Sequence, residues 1–159
     1  TYEGYSLTPD NENIYLRYDE FESITFFRHK YFISETVSIP ISLDGYKSDK
    51  EENTYSILKF KYLGSSWIFY DEIIILNGDN EKIKYSAESY DKIKDVDGLG
   101  RVWERSTHLL SLDETEKFFH FINKKPIKLR LSGKYAKDYV LDDKRIDSII
   151  EMMEYFYSY

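Results

Sequence analysis

The chain contains no cysteine. That absence excludes disulfides, thiolate metal sites and cysteine nucleophiles together. It also lacks any apolar run near the ~20 residues a membrane helix needs. Ile73 to Leu76, among its longest, is only strand-sized. There is no surplus of base: 22 Lys and Arg stand against 29 Asp and Glu, a net charge of −7. A net negative field repels phosphate backbones at long range, so no nucleic-acid partner is expected. Catalytic signatures are missing too. No G-x-S-x-G occurs, and Ser65-Ser66 simply follow a turn glycine. Gly98-Leu99-Gly100 lacks the third glycine of a dinucleotide loop and leads into a strand pattern. No cofactor is implied.

What is present is aromatic: 16 tyrosines and 10 phenylalanines in 159 residues. Aromatic and β-branched residues suit a pleated, half-buried surface, so the composition points to a sheet-dominated domain. A chain of this length buries roughly 68–70 % of its unfolded surface, enough for a core without staples. One domain over residues 1–159 is expected. The sequence starts at Thr1, which leaves a removed targeting segment and a trimmed start both open.

Residues 1–13 carry turn formers and read as a lead-in. Ile14–Tyr18 is a short strand. Phe21–Ile33 is aromatic and shifts phase at Phe26-Phe27, which suggests a bulge or two strands. Val37–Leu43 reads as an edge strand because of Pro40, and the polar Asp44–Thr54 stretch as a surface loop. Tyr55–Tyr62 alternates, with Leu58, Phe60 and Tyr62 on one face and Lys59 and Lys61 on the other. Trp67–Leu76 reads as a strand covered on both sides. Asn77-Gly78 turns it back into Glu81–Tyr85. Ser86–Gly100 is a long connection before the strand Arg101–Leu110.

Ser111 and Glu114 form a capping box that starts a helix running to about Asn123. Thr115, Phe118, Phe119 and Ile122 fall on one side of it. Ile127–Leu131 and Tyr135–Leu141 are strands around Ser132-Gly133. Asp142 caps a last helix, whose Ile146, Ile149, Ile150, Met153 and Phe156 form a core stripe. Tyr155, Tyr157 and Tyr159 read as a terminal segment wrapping onto the body. The fold class is α+β: mainly antiparallel strands, seven to nine of them, in a sandwich or strongly curved sheet, with two helices in the C-terminal third.

Gly64, Trp67, Phe69, Asn77-Gly78, Gly100, Val102, Glu104, Ser111-x-x-Glu114 and Leu129-Arg130-Leu131-Ser132-Gly133 follow one another in an order that resembles small uncharacterised bacterial envelope and lipoprotein domains. The resemblance covers roughly the last hundred residues. It implies an extracytoplasmic or cell-envelope location and carries no activity.

The densest chemistry lies in Arg101, Trp103, Glu104, Arg105 and His108. On a strand, Arg101, Trp103 and Arg105 share a face, with an indole between two guanidiniums. These three are the candidate ligand-binding residues, suited to an anion. Asp95, Asp97, Gly98 and Glu104 match four positions of a calcium loop, but Ile93 occupies the first ligand position, so an ordinary acidic turn is expected. His29, His108 and His120 lie in separate elements without metal-ligand spacing, and no metal site is expected. Arg28-His29-Lys30 among aromatic residues resembles a single-strand binder in miniature. A strand with one charged face explains it more simply.

The functional expectation is a non-catalytic binding or scaffolding domain with a protein or glycan ligand. The alternatives are two. One is a small enzyme acting on carbohydrate or phosphate-bearing substrates through Glu104 with Asp71, Glu72 or His108. The other is an acidic cytoplasmic adaptor for a basic protein.

Overall fold

The computed structural model describes residues 4–34, 39–50, 54–88 and 92–158. Its strands are β1 (Ser6–Leu7), β2 (Ile14–Asp19), β3 (Ile24–His29), β4 (Ile41–Ser48), β5 (Thr54–Gly64), β6 (Glu72–Leu76), β7 (Lys82–Ser86), β8 (Lys92–Val96), β9 (Val102–Leu110), β10 (Lys128–Ser132) and β11 (Ala136–Val140). The helices are α1 (Lys30–Ser34), α2 (Leu112–Ile122) and α3 (Asp143–Ser158). A large sheet runs β1-β2-β3-β4-β5-β9-β8 and a small one β11-β10-β6-β7. All the described pairings are antiparallel. The fold is α+β and sandwich-like.

Strand β5 organises the large sheet, pairing with β4 on one side and β9 on the other. Its alternation holds as expected: Leu58 and Phe60 are fully buried and Lys59 and Lys61 face outward. The inner face of this sheet is covered by a second layer. Helix α3 lies against β3 and β4, and α2 against β5 and β9. The small sheet completes the cover, with the Tyr85 ring 6.0 Å from that of Phe60. Ile73, Ile75, Leu129 and Leu131 point from the small sheet into the same core as Ile41, Leu43 and Leu58. Full burial of each such side chain contributes about 1.5–3 kcal/mol.

Local signals explain the termini of these elements. Ser111 Oγ accepts from the Glu114 amide at 3.2 Å and Glu114 returns the bond to the Ser111 amide, a complete capping box. Asp142 Oδ1 accepts the Arg145 amide at 2.8 Å and caps α3. Ile146, Ile149 and Met153 of the expected stripe are fully buried, joined by Met152, while Ile150 is half-buried. The Phe156 side chain lies outside the described residues. In the 76–82 hairpin, Asn77 Oδ1 accepts the amides of Asp79 and Glu81, both at 3.0 Å.

Several expectations need correction. The polar stretch from Asp44 is no loop: Asp44–Ser48 completes β4, because Asp44 is neutralised in place by two cations. Val37 and Ser38 lie outside the described residues. Phe21–Ile33 holds one strand and then α1, the chain leaving the sheet at Lys30. Within 86–100 a further strand, β8, pairs with β9. Trp67–Asp71 is irregular, and β6 begins only at Glu72. Tyr155 and Tyr157 belong to α3 itself, and Tyr159 lies outside the described residues.

Candidate anion-binding face

Alternation along the strands turns every second side chain of the large sheet outward, away from the core shared with the helices and the small sheet. Register assembles the chemistry of this outer face. Lys61 of β5 lies directly opposite Arg105 of β9, and Leu63 opposite Trp103. Lys61 Nζ sits 5.3 Å from the Trp103 ring centre and the Arg105 guanidinium carbon 6.0 Å from it. Like charges directly opposite each other in a sheet are destabilising. Among the described residues neither Lys61 nor Arg105 forms an ion pair. Burial, and next the Arg105 charge, hold the Lys61 ammonium below its ordinary range. This is a cationic centre with an indole as its floor.

The same face continues across β4, β3 and β2. Asp44 Oδ2 receives Lys59 Nζ at 3.0 Å and Arg28 Nη2 at 3.2 Å, and its side chain is only 7 % exposed. Arg17 lies over the Phe26 ring at 4.8 Å and the Tyr5 ring at 5.4 Å, with Arg28 5.1 Å from Tyr5. Burial raises the Tyr5 phenol above its ordinary range, so it stays neutral. Across β2, β3, β4, β5 and β9 the face therefore carries Arg17, Arg28, Lys59, Lys61 and Arg105 around one enclosed carboxylate. Asp19 and Asp95 stand at its margins, engaged with turn and strand amides. Such a face on a chain of charge −7 concentrates positive potential on one side.

Of the candidate ligand residues, Trp103 and Arg105 share this face, and Arg101, just ahead of β9, is near enough for its charge to act on Lys61 but is engaged by Asp97. Arg101 Nε donates to Asp97 Oδ2 at 2.8 Å across the β8–β9 turn. Lys61, from the neighbouring strand, takes the place expected for Arg101. Its outward orientation was legible in the Lys59–Lys61 alternation, but its partner strand was not. The calcium-loop mimic is a β-hairpin. Asp97 Oδ1 accepts the Leu99 and Arg101 amides, and Gly100 adopts φ 79°. Among the described residues no cluster of three or more metal-ligating side chains forms.

Glu104 has a different role from either calcium ligand or catalytic acid. It is fully buried, and its carboxylate accepts the amides of Ile68, Phe69 and Tyr70 at 2.9, 3.0 and 3.1 Å. Lys92 Nζ adds a fourth contact at 3.1 Å and also donates to the Tyr70 carbonyl. Consecutive amides turned toward one anion form a nest. The turn requires Phe69 at φ 53°, a left-handed conformation that is costly for a bulky residue. Gly133 packs its backbone so close to Phe69 that a Cβ there would overlap the Phe69 carbonyl oxygen. Glu104 thus fastens the irregular 67–71 segment to β9.

The remaining candidates do not converge with it. Asp71 and Glu72 are exposed. His108 Nε2 lies 3.0 Å from Ser106 Oγ, with its ring against Phe60 and Tyr85. His120 is exposed on α2, 3.9 Å from Glu116. His29 is buried, accepting the Tyr31 amide at Nδ1 and meeting Glu151 at 2.6 Å through Nε2. In the Arg28-His29-Lys30 cluster, Arg28 faces outward, His29 inward, and Lys30 opens α1. No family model matches this chain, and no curated protein or solved structure matches it either.

Proposed function

We propose that this chain is a non-catalytic binding module whose large-sheet outer face docks an acidic protein surface. The observation that carries this reading is the opposed pair Lys61 and Arg105, held against Trp103 without a carboxylate partner among the described residues. An incoming carboxylate removes the repulsion that the fold itself leaves in place. Arginine and large aromatic residues are the usual anchors of protein interfaces, and this face offers both in a broad, pleated layer. The buried commitment of Glu104 supports the non-catalytic part, since that carboxylate is occupied by backbone amides. The cell envelope as the site of action rests on the sequence resemblance alone, and mapping the N-terminus of the native protein tests it.

Titration calorimetry with poly-glutamate tests the binding face directly. Binding should weaken as salt rises, because exposed charges are screened within about 10 Å at 0.1 M. Exchanging both cations, Lys61→Glu with Arg105→Glu, should weaken it by at least about tenfold. Equal affinity in the double variant, or no binding at low salt, refutes the proposal. A preference for a sulfated glycan over poly-glutamate would reassign the partner.

A further inference from the structure

The outer face of the small sheet carries a separate pattern. Register sets it in rows: Lys82, Leu76, Lys128 and Val140 lie side by side, and Lys84, Ile74, Arg130 and Asp138 form the next row. Leu76 and Ile74 therefore each have a cation directly opposite on both neighbouring strands. Over this face lies an open hollow of about 460 Å³ whose apolar lining includes Ile74, Leu76 and, at its exposed edge, Val140. That volume lies within the range of small-molecule sites. Asp138 occupies Arg130 through bonds of 2.6 and 2.8 Å. Among the described residues Lys82, Lys84 and Lys128 form no ion pair. An apolar floor between unpaired ammonium groups calls for a ligand that is aliphatic in body and negative at one end.

We propose that this hollow binds a single-chain amphiphilic anion. The carboxylate sits between Lys82 and Lys128, and the alkyl chain runs from there over Leu76 toward Ile74. These lysines stand two strand spacings apart, about 9.5 Å, and their flexible stems let both ammonium groups reach one headgroup. A free chain is the better match than a bilayer, because the volume of the hollow suits a small molecule.

Amide-resolved NMR titrations with sodium octanoate, 1-octanol and sodium acetate separate chain from charge. Octanoate should shift amides of β6, β7, β10 and β11 saturably, octanol should bind at least about fivefold more weakly, and acetate should not saturate. Lys128→Glu and Leu76→Ser should each weaken octanoate by at least about fivefold. Both positions face outward, and unchanged amides in β9 and α3 report that the variants are folded. Octanoate binding that ignores both variants, an equal response to acetate, or a response only to phosphatidylglycerol vesicles overturns the proposal. Lys61→Glu with Arg105→Glu must leave octanoate binding intact, which keeps this result apart from the fate of the protein-docking face.

Discussion

Replacing Glu104 by alanine removes a buried carboxylate and leaves everything it held. The amides of Ile68 and Tyr70 belong to residues that are 5 % and 0 % exposed. Each buried donor left unsatisfied costs about 1–3 kcal/mol, so these two alone cost about 2–6. Lys92, whose side chain is 14 % exposed, loses its counter-charge in the same step. Breaking a buried pair from one side costs about 3–5 kcal/mol, part of it shared with the amide penalty. Glu104→Ala should therefore lose about 4–6 kcal/mol, a large share of the about 5–15 available to a domain. Glu104→Gln keeps the volume and one acceptor oxygen, but it also removes the counter-charge of Lys92 and turns an NH2 toward donors that the second oxygen accepts, so it should lose about 3–5 kcal/mol. Urea unfolding at neutral pH, read from midpoints at constant slope, gives both values. A Glu104→Ala variant within about 1 kcal/mol of the parent would refute the argument, because one missing hydrogen bond would already account for that loss.

Two further outcomes follow from the helices. Burial lowers the proton affinity of His29 against the opposing pull of Glu151, so the unfolded chain binds the proton more readily and stability declines as pH falls through about 6.5. Burial raises the Glu151 carboxyl, but hydrogen bonds from Asn13 and His29 together hold it below its ordinary 4.5, which extends the decline further into acid. His29→Gln should flatten the first part of this profile, and an unchanged slope between about pH 7 and 5.5 would contradict the assignment. Ile149 is fully buried, so Ile149→Ala should lose about 2–5 kcal/mol, and half-buried Ile150→Ala visibly less. Thermal melts that show equal losses would mean that α3 packs otherwise.

The parts of the fold that announce themselves in the sequence are those whose signals are local. The alternation of β5, the Asn77-Gly78 turn, the Ser111–Glu114 box and the α3 stripe each lie within a few residues. The start of β4 lay within the expected Val37–Leu43 strand, but its second half, Asp44–Ser48, was hidden because Asp44 looks like a loop residue until Arg28 and Lys59 are placed beside it. Strand β8 was hidden for a related reason, since Lys92, Lys94 and Asp95 suit an exposed edge as well as a loop. The candidate face was half legible. Trp103 and Arg105 follow from period two along β9, but the neighbouring cation comes from β5, and adjacency of those strands is a property of topology. The role of Glu104 was not legible, because the amides it accepts lie 34 to 36 residues away in sequence.

The Asp44 cluster bears on which strand pairing the chain selects. In the observed register Leu43 faces Leu58 and Asp44 faces Ile57. Sliding β4 by one residue would reverse every side chain, sending Leu43 to solvent and Asp44 into the apolar layer. Arg28 and Lys59 are fixed on the outer face and could not follow. A stranded carboxylate of that kind costs several kcal/mol, far more than the partly exposed ion pairs contribute in the correct arrangement. The weight of Asp44 thus falls on the misaligned states, where it makes a strand with mixed polarity, and glycine next to it, pair in one way only.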